Sequence, residues 1–331
     1  MTRPPILIEL TRGNLVESVH AGHAAICDSS GSVIEGWGDP VTVIYPRSSC
    51  KMMQALPLVE SGAADAAGLT DAQLALACAS HEGAALHADA VRAWLARQGQ
   101  GEDDLLCGTE MPRDRDLREA LIRAGEAPCQ VHNNCSGKHA GFLTLTRHLK
   151  AGPDYVALDH PVQKAVRSSF EEVTGLESPG YGIDGCSAPN FATTVAGLAT
   201  AMARFAAAGT GSGARDAAMA RLTGAMIAHP DLVAGQGRAC TELMRAAGGA
   251  AAVKTGAEAV FVAILPRQKL GVALKIVDGG TRAAEAAIAA LLVHLGVLAA
   301  DDPAVLRRVD APIMNRAGLQ VGQVRRAAGF P

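Results

Sequence analysis

The sequence predicts an α/β fold of the α+β kind, an antiparallel sheet built from N- and C-terminal strands and covered by helices from a helical middle region. Three observations predict it. Short runs of β-branched and aliphatic residues, bounded by Gly, Pro, Asp and Ser, concentrate in residues 1–60 and 245–331. Helical periodicity dominates residues 61–244. No Gly-x-Gly-x-x-Gly or Walker loop is present, and strands do not alternate with helices as a doubly wound parallel sheet requires.

In chain order, Ile6 to Leu10 is the first strand, too short and too acidic for the apolar core of a signal peptide. Asp28-Ser-Ser-Gly31 supplies the hairpin turn between strands His23–Cys27 and Ser32–Gly36. Val41 to Tyr45 is a further strand leading into Pro46. From Ser48 the pattern turns helical through Met52, Met53, Ala55 and Leu56, and Pro57 is expected to kink or end that helix. Helices follow at His87–Leu95, Asp116–Ala124, Pro161–Val173 and Phe191–Ala207, with Gly209–Gly213 as a flexible loop. Strands return at Ala259–Leu265 and Gly271–Val277 around a turn at Pro266–Lys269, before an amphipathic helix from Thr281 to about Leu295. Without a repeat period or long linker, residues 1–331 read as a single domain.

A chain of 331 residues, 49% hydrophobic and 19% charged, buries a sizeable core and reads as a globular protein. Its net charge of -3, with no block of five or more Lys and Arg, excludes the footprint of nucleic acid or an anionic membrane surface. The longest apolar runs are broken by Arg204, and by Glu285 and His294, which suits buried helices rather than membrane spans. The eight cysteines are dispersed without a Cys-x-x-Cys pair, so a disulfide scaffold is not expected and a reducing cytoplasm is. Small neutral or zwitterionic partners fit this composition.

Arg47-Ser48-Ser49-Cys50-Lys51 carries the chemistry best. Positions i and i+3 of a helix share a face, so a neutral Lys51 amine would reach the Ser48 hydroxyl and take its proton. Lys254-Thr255-Gly256, just ahead of the Ala259 strand, is a second sign of Ser-Lys chemistry, although the same tripeptide also reads as a surface turn. Ser-x-x-Lys with Lys-Thr-Gly is the arrangement of penicillin-recognising proteins and class A β-lactamases, but their Ser-Asp-Asn element is missing here.

Further loops are more specific: Cys78-Ala-Ser80-His81, Asn133-Asn134-Cys135-Ser136-Gly137-Lys138-His139, Gly182-Ile183-Asp184-Gly185-Cys186-Ser187-Ala188-Pro189, and the stretch from His229 to Arg238 and Cys240. With the Ser48 segment they resemble the bacterial L-asparaginase II family of the Rhizobium etli inducible type, in order from about Gly13 to Asp278. The resemblance implies a β-lactamase/glutaminase-like serine-hydrolase fold, hydrolysis of L-asparagine to L-aspartate and ammonia, and a homodimer. It also implies two Ser-Lys pairs, Ser48 with Lys51 and Ser80 with Lys254, and a zinc site on Cys135, Lys138 and Cys186.

Chemistry makes sense of these roles. A protonated lysine cannot activate serine, so the pKa of Lys51 or Lys254 must fall, through burial and a neighbouring cation. Ser48 is then the nucleophile and Lys51 its base, with Ser80 and Lys254 relaying a proton to ammonia and activating water; which serine attacks first stays open. The substrate's α-carboxylate and α-ammonium call for a cation and an anion, for which Arg47 and Asp184 are the candidates, with Lys138 a further substrate-binding residue. Lysine is a rare zinc ligand and must be neutral to coordinate, whereas thiolates suit the metal.

Other residues read as structural: His81 and His139 as hydrogen-bonded core histidines, Cys240 and the Met52-Met53 pair as packing, and Glu17 and His20 as a solvated strand face. The competing functions are a penicillin-binding, β-lactamase-like or glutaminase-like serine hydrolase, and a non-catalytic amino-acid sensor.

Overall fold

The computed structural model describes residues 3–210 and 213–331. They group into two compact units, Met1–Ser49 with Thr193–Ala207 and Glu242–Pro331, and Cys50–Ala192 with Ala208–Thr241. In chain order the strands are β1 (Ile6–Arg12), β2 (Leu15–Asp28), β3 (Val33–Trp37), β4 (Val43–Ile44), β5 (Tyr181–Ile183), β6 (Pro189–Phe191), β7 (Thr193–Thr194), β8 (Ala252–Gly256), β9 (Val260–Leu265), β10 (Leu270–Ile276), β11 (Ala311–Met314) and β12 (Gln320–Arg326).

The first unit is the antiparallel sheet expected from the two chain ends. Its order is β11-β12-β1-β2-β10-β9-β8, with β3 also paired to β2. The 14-residue β2 holds it together: Leu15 to Ala21 pairs with β1, and Gly22 to Asp28 pairs with β10. β1 meets β12 in a register that sets Glu9 opposite Arg325, and the two form an ion pair at 2.9 Å. All six residues of β9 are buried, so both sheet faces are covered. The helix Val195–Ala207 packs on β2, β9 and β10, and the helix Thr281–His294 on β1, β9, β10 and β12. The first of these approaches so closely that a Cβ at Gly271 would lie 2.1 Å from Ala199 O and Ala203 N. Cys27, the register partner of Gly271, points its thiol to Ala196 O at 3.7 Å on the same helix.

Several elements depart from the sequence reading. β2 begins eight residues before His23, and it separates Glu17 from His20. Glu17 is exposed against Arg12 at 2.8 Å, whereas His20 is buried with Nδ1 2.6 Å from Asp278. Val41–Tyr45 shortens to β4, which pairs with β7. Lys254-Thr255-Gly256 is not a surface turn but the end of β8, with Lys254 in register with Val262.

The second unit is the helical middle, with helices Asp71–Ala77, Ala85–Arg97, Arg115–Ala124, Ser136–His148, Pro161–Thr174 and Ala214–Ala228. Local signals set their starts: a Thr70/Gln73 capping box for the first, and Asp114 Oδ1 accepting from Leu117 N at 2.8 Å for the third. Ser136–His148 is the central helix, buried from Ser136 through Thr146. Gly137 lets it touch the end of Asp71–Ala77, because a Cβ there would sit 2.3 Å from Leu76 O.

The helix expected from Ser48 divides into a 3-10 turn, Arg47–Cys50, and two short helices, Lys51–Gln54 and Leu56–Glu60. Pro57 occupies the first turn of the latter, where a missing N–H costs nothing, so the break falls at Ala55 ahead of it. Phe191 lies in β6 and the helix expected there starts at Val195. The Gly209–Gly213 loop begins in a 3-10 turn, Ala208–Thr210, and residues 211 and 212 lie outside the described residues. Among the described residues no helix is long and apolar enough to cross a membrane.

Candidate active site

In the first unit the Ser48 segment is a 3-10 turn entered through Arg47, whose φ of +53° is in the left-handed region that a non-glycine residue rarely adopts. The two serines of this turn have different tasks. Ser49 is buried, donating from Oγ to Pro46 O at 2.7 Å and from N to the same oxygen at 3.2 Å. Ser48 is partly exposed and stands at i to Lys51's i+3 as the turn runs into Lys51–Gln54. β8 lies against this segment: a Cβ on Gly256 would come within 2.6 Å of Pro46 O and 3.0 Å of Ser49 N. Lys254, two residues earlier, is 1% exposed and donates from Nζ to Thr255 O at 2.7 Å. Gly256→Ala is therefore expected to push β8 off the Ser48 turn and to cost about 1–3 kcal/mol of stability. Urea unfolding checks it; a wild-type midpoint in the variant would show that this close approach is unimportant.

In the second unit Lys51 is 1% exposed, and its amine donates to Ala79 O and, at 3.3 Å, to Asn134 O. Among the described residues it has no carboxylate partner. The residue after Ala79 is Ser80, buried and pinned through its N–H to Val233 O at 2.9 Å. Two residues on, Glu82 O accepts from Arg113 N and Asp114 N at 2.7 and 2.9 Å, while its carboxylate accepts from Gln236 N at 3.0 Å. Gly235, at φ +115°, leaves the space for that carboxylate, which a Cβ would meet at 2.3 Å. The segment carrying Ser80 is thus fixed from both sides.

The second unit also gathers Cys135, Lys138, Cys186 and Asp184. The 184–188 loop closes the β5–β6 hairpin, with Asp184 N donating to Ala188 O at 3.0 Å and Ser187 left-handed at φ +69°. It delivers Cys186 Sγ to 3.0 Å from Lys138 Nζ in the central helix. A hydrogen bond from Cys135, aided by Lys138 and His139, draws the Cys186 thiol well below its ordinary value against the opposing effect of burial. Cys135 moves the other way, because the Cys186 thiolate and burial both hold its proton on. Burial opposes the Lys138 ammonium, yet the Cys186 and Cys135 sulfurs and then Asp184 outweigh it and leave the amine more basic than usual. His139 supports the cluster: Tyr155 Oη accepts from Leu106 N at 2.7 Å and lies 3.0 Å from His139 Nδ1.

Two sulfurs, the Cys186 thiol the more readily ionised, and an amine 3.0 Å from Cys186 Sγ make a donor set that suits zinc chemically, and the amine would have to surrender its proton on binding. Histidine, cysteine and carboxylate side chains alone do not make such a set: among the described residues no group of three or more of them could hold a metal ion.

Burial pulls His139 down to about 4. Its folded-state value therefore lies below the unfolded one, and the unfolded chain takes up the proton first as pH falls. Stability is complete above about pH 6.5 and drains toward pH 4, with roughly 2 kcal/mol gone at pH 5 from this residue. His23, His87 and His132, all lowered by burial, act in the same direction. Urea unfolding at pH 7.5 and pH 5 measures this, and equal midpoints would contradict it.

The structure thus places Arg47, Ser48 and Lys254 in the first unit, and Lys51, Ser80, Cys135, Lys138, Cys186 and Asp184 in the second. The main-chain carbonyls on Lys51, the Glu82–Gly235 contact and the Tyr155–His139 pair were not foreseen. Only Asn134 carried a signal, as part of the Asn-Asn-Cys run. His81 and His139 have the hydrogen-bonded structural roles read from sequence, His81 accepting from Gly83 N at 3.1 Å and lying 3.0 Å from Ser136 Oγ.

The family described as L-asparaginase II matches the chain over residues 8–326. No curated protein matches it significantly. Among solved structures it is similar to Mglu in its tris and glutamate form, at 14% identity and a TM-score of 0.49, over 85% of this chain and 60% of that one. The native form of Mglu matches at 13% identity and a TM-score of 0.48, over 85% and 66%. A β-lactamase from Mycobacterium bovis matches at 12% identity and a TM-score of 0.38, over 84% and 95%. The chain spans less than two thirds of the Mglu tris and glutamate form.

Proposed function

Because the chain belongs to the L-asparaginase II family, an amidohydrolase family, we propose that it hydrolyses the side-chain amide of L-asparagine to L-aspartate and ammonia by Ser-Lys nucleophilic catalysis. The observation that carries this reading is the division of labour in the Ser48 turn. Ser49 is committed to Pro46, Ser48 is not buried, and three residues later comes a buried lysine whose amine is positioned by two main-chain carbonyls.

Ser48 Oγ forms a bond to the amide carbon as its proton passes to Lys51, and the C–N bond then breaks with a proton delivered to the leaving ammonia. Water adds to the resulting acyl-serine ester, frees aspartate and restores the Ser48 proton. Ser80 and Lys254 serve the proton relay to ammonia and the activation of water. Arg47 grips the α-carboxylate and Asp184 holds the α-ammonium, with Lys138 the further substrate-binding residue.

Cys135, Lys138 and Cys186 are the residues that would hold zinc, which when bound supplies a fixed positive charge. The working protein in this reading is a homodimer in the cytoplasm.

The test is ammonia release by the purified protein on L-asparagine and L-glutamine, with nitrocefin as the β-lactam control. Turnover of asparagine above glutamine, with nitrocefin untouched, is the expected result; turnover of nitrocefin alone would replace this reading by the β-lactamase one. Elemental analysis of the same sample is expected to find about one zinc per chain, lost in Cys186→Ser.

A further inference from the structure

Away from these residues the second unit has a cleft of about 370 Å³ between the C-terminal turns of Ala85–Arg97 and Ser136–His148 and the 63–73 segment. That volume is within the ordinary range for small-molecule sites, about 300–1,000 Å³. Its floor is locked: Trp94 Nε1 and Gln98 Nε2 both donate to Thr144 Oγ1, at 3.2 and 2.8 Å, and Thr144 donates to Ala140 O at 2.8 Å. Arg97, Arg147 and His148 stand around it, and no Asp or Glu lines it.

Cations at helix C-termini ordinarily compensate the exposed carbonyls, and two helices end here. That compensation is incomplete as an account of the charge. Two helix ends carry about -0.5 each, whereas two guanidiniums carry +2, so the cleft keeps a surplus of about +1 before His148 is counted. Several other arginines in this unit find carboxylates, among them Arg113 with Glu110, Arg167 with Glu171, Arg215 with Glu60 and Arg221 with Asp65. Arg97 reaches only Gly68 O, at 3.3 Å, and the Arg147 side chain pairs with nothing among the described residues.

We propose that this cleft binds a small organic anion, a carboxylate or phosphate ester whose charged end lies between Arg97 and Arg147 and whose apolar part rests on Ala66 and Ala67. Calorimetry at low ionic strength, with succinate and with glycerol phosphate as separate titrants, tests it and distinguishes the two anion types. At least one is expected to bind, with affinity about tenfold weaker in Arg97→Ala and in Arg147→Ala. Both side chains are exposed, so these variants should melt as the wild type does. Succinate also resembles the proposed product aspartate, and cleft binding is expected to persist in Arg47→Ala. Failure of both titrants to bind, an affinity indifferent to Arg97 and Arg147, or binding abolished by Arg47→Ala would overturn the proposal without bearing on asparagine hydrolysis.

Discussion

Ser48→Ala is expected to lower kcat for ammonia release from L-asparagine by about a thousandfold or more, since in the proposed reaction the acyl bond forms at its Oγ. Ser49→Ala should separate from it sharply. The Ser49 hydroxyl bonds Pro46 O, whose second donor, Ser49 N, survives the substitution. That variant should lose about 1 kcal/mol of stability and keep the same catalytic chemistry. Lys51→Met completes the set, preserving apolar bulk while removing the base. It also strips a donor from Ala79 O and Asn134 O, so a stability cost of about 1–3 kcal/mol is expected alongside a loss of turnover comparable to that of Ser48→Ala. Kinetics and urea unfolding on all three variants check the pattern. If Ser49→Ala were inactive and Ser48→Ala active, the roles of the two serines would be exchanged.

The parts of the fold legible in the sequence are those whose information is local. Asp28-Ser-Ser-Gly31 and Pro266–Lys269 carry turn chemistry between aliphatic runs, and both hairpins form where they should. β11 and β12 carry no such signal. Ala311-Pro-Ile-Met314 has a proline, and Gln320–Arg326 is mostly polar, so β12 is a strand because β1 offers a partner some 310 residues away in sequence, as in Thr11 with Gln323, and β11 because β12 then offers its own edge. The start of the Val195 helix was missed for a related reason. Pro189–Phe191 is buried throughout, and a short apolar run has no period to tell strand from helix.

The candidate site divides along the same line. Side chains with chemistry, Ser48, Lys51, Cys135, Lys138 and Cys186, announce themselves as residue types in unusual strings. What tunes them does not. The partners of Lys51 are two main-chain carbonyls, and the hydrogen-bond partner of His139 Nδ1, Tyr155, lies sixteen positions away as an ordinary aromatic.

Gly271→Ala tests the sheet and should be strongly destabilising. Its Cβ would sit 2.1 Å from both Ala199 O and Ala203 N, and these are main-chain atoms inside a hydrogen-bonded helix that no rotamer change can move aside. The helix Val195–Ala207 must therefore retreat as a body from β10, or β10 must shift against β2 and β9. Retreat opens space beside buried Leu198, Ala199 and Met202 on the helix and Ala25, Cys27 and Ala273 on the sheet, and such space carries a cavity cost on top of the strain. A loss of about 3 kcal/mol or more is expected, a large share of the stability of an ordinary domain. The urea midpoint of the purified variant measures it. Gly31→Ala is the companion, since at φ +96° it strains only a hairpin turn and its Cβ would meet nothing closer than Thr200 Cγ2 at 3.6 Å. It should cost clearly less, about 1–2 kcal/mol. If the two substitutions cost the same, close contact between helix and sheet is not what fixes glycine at 271.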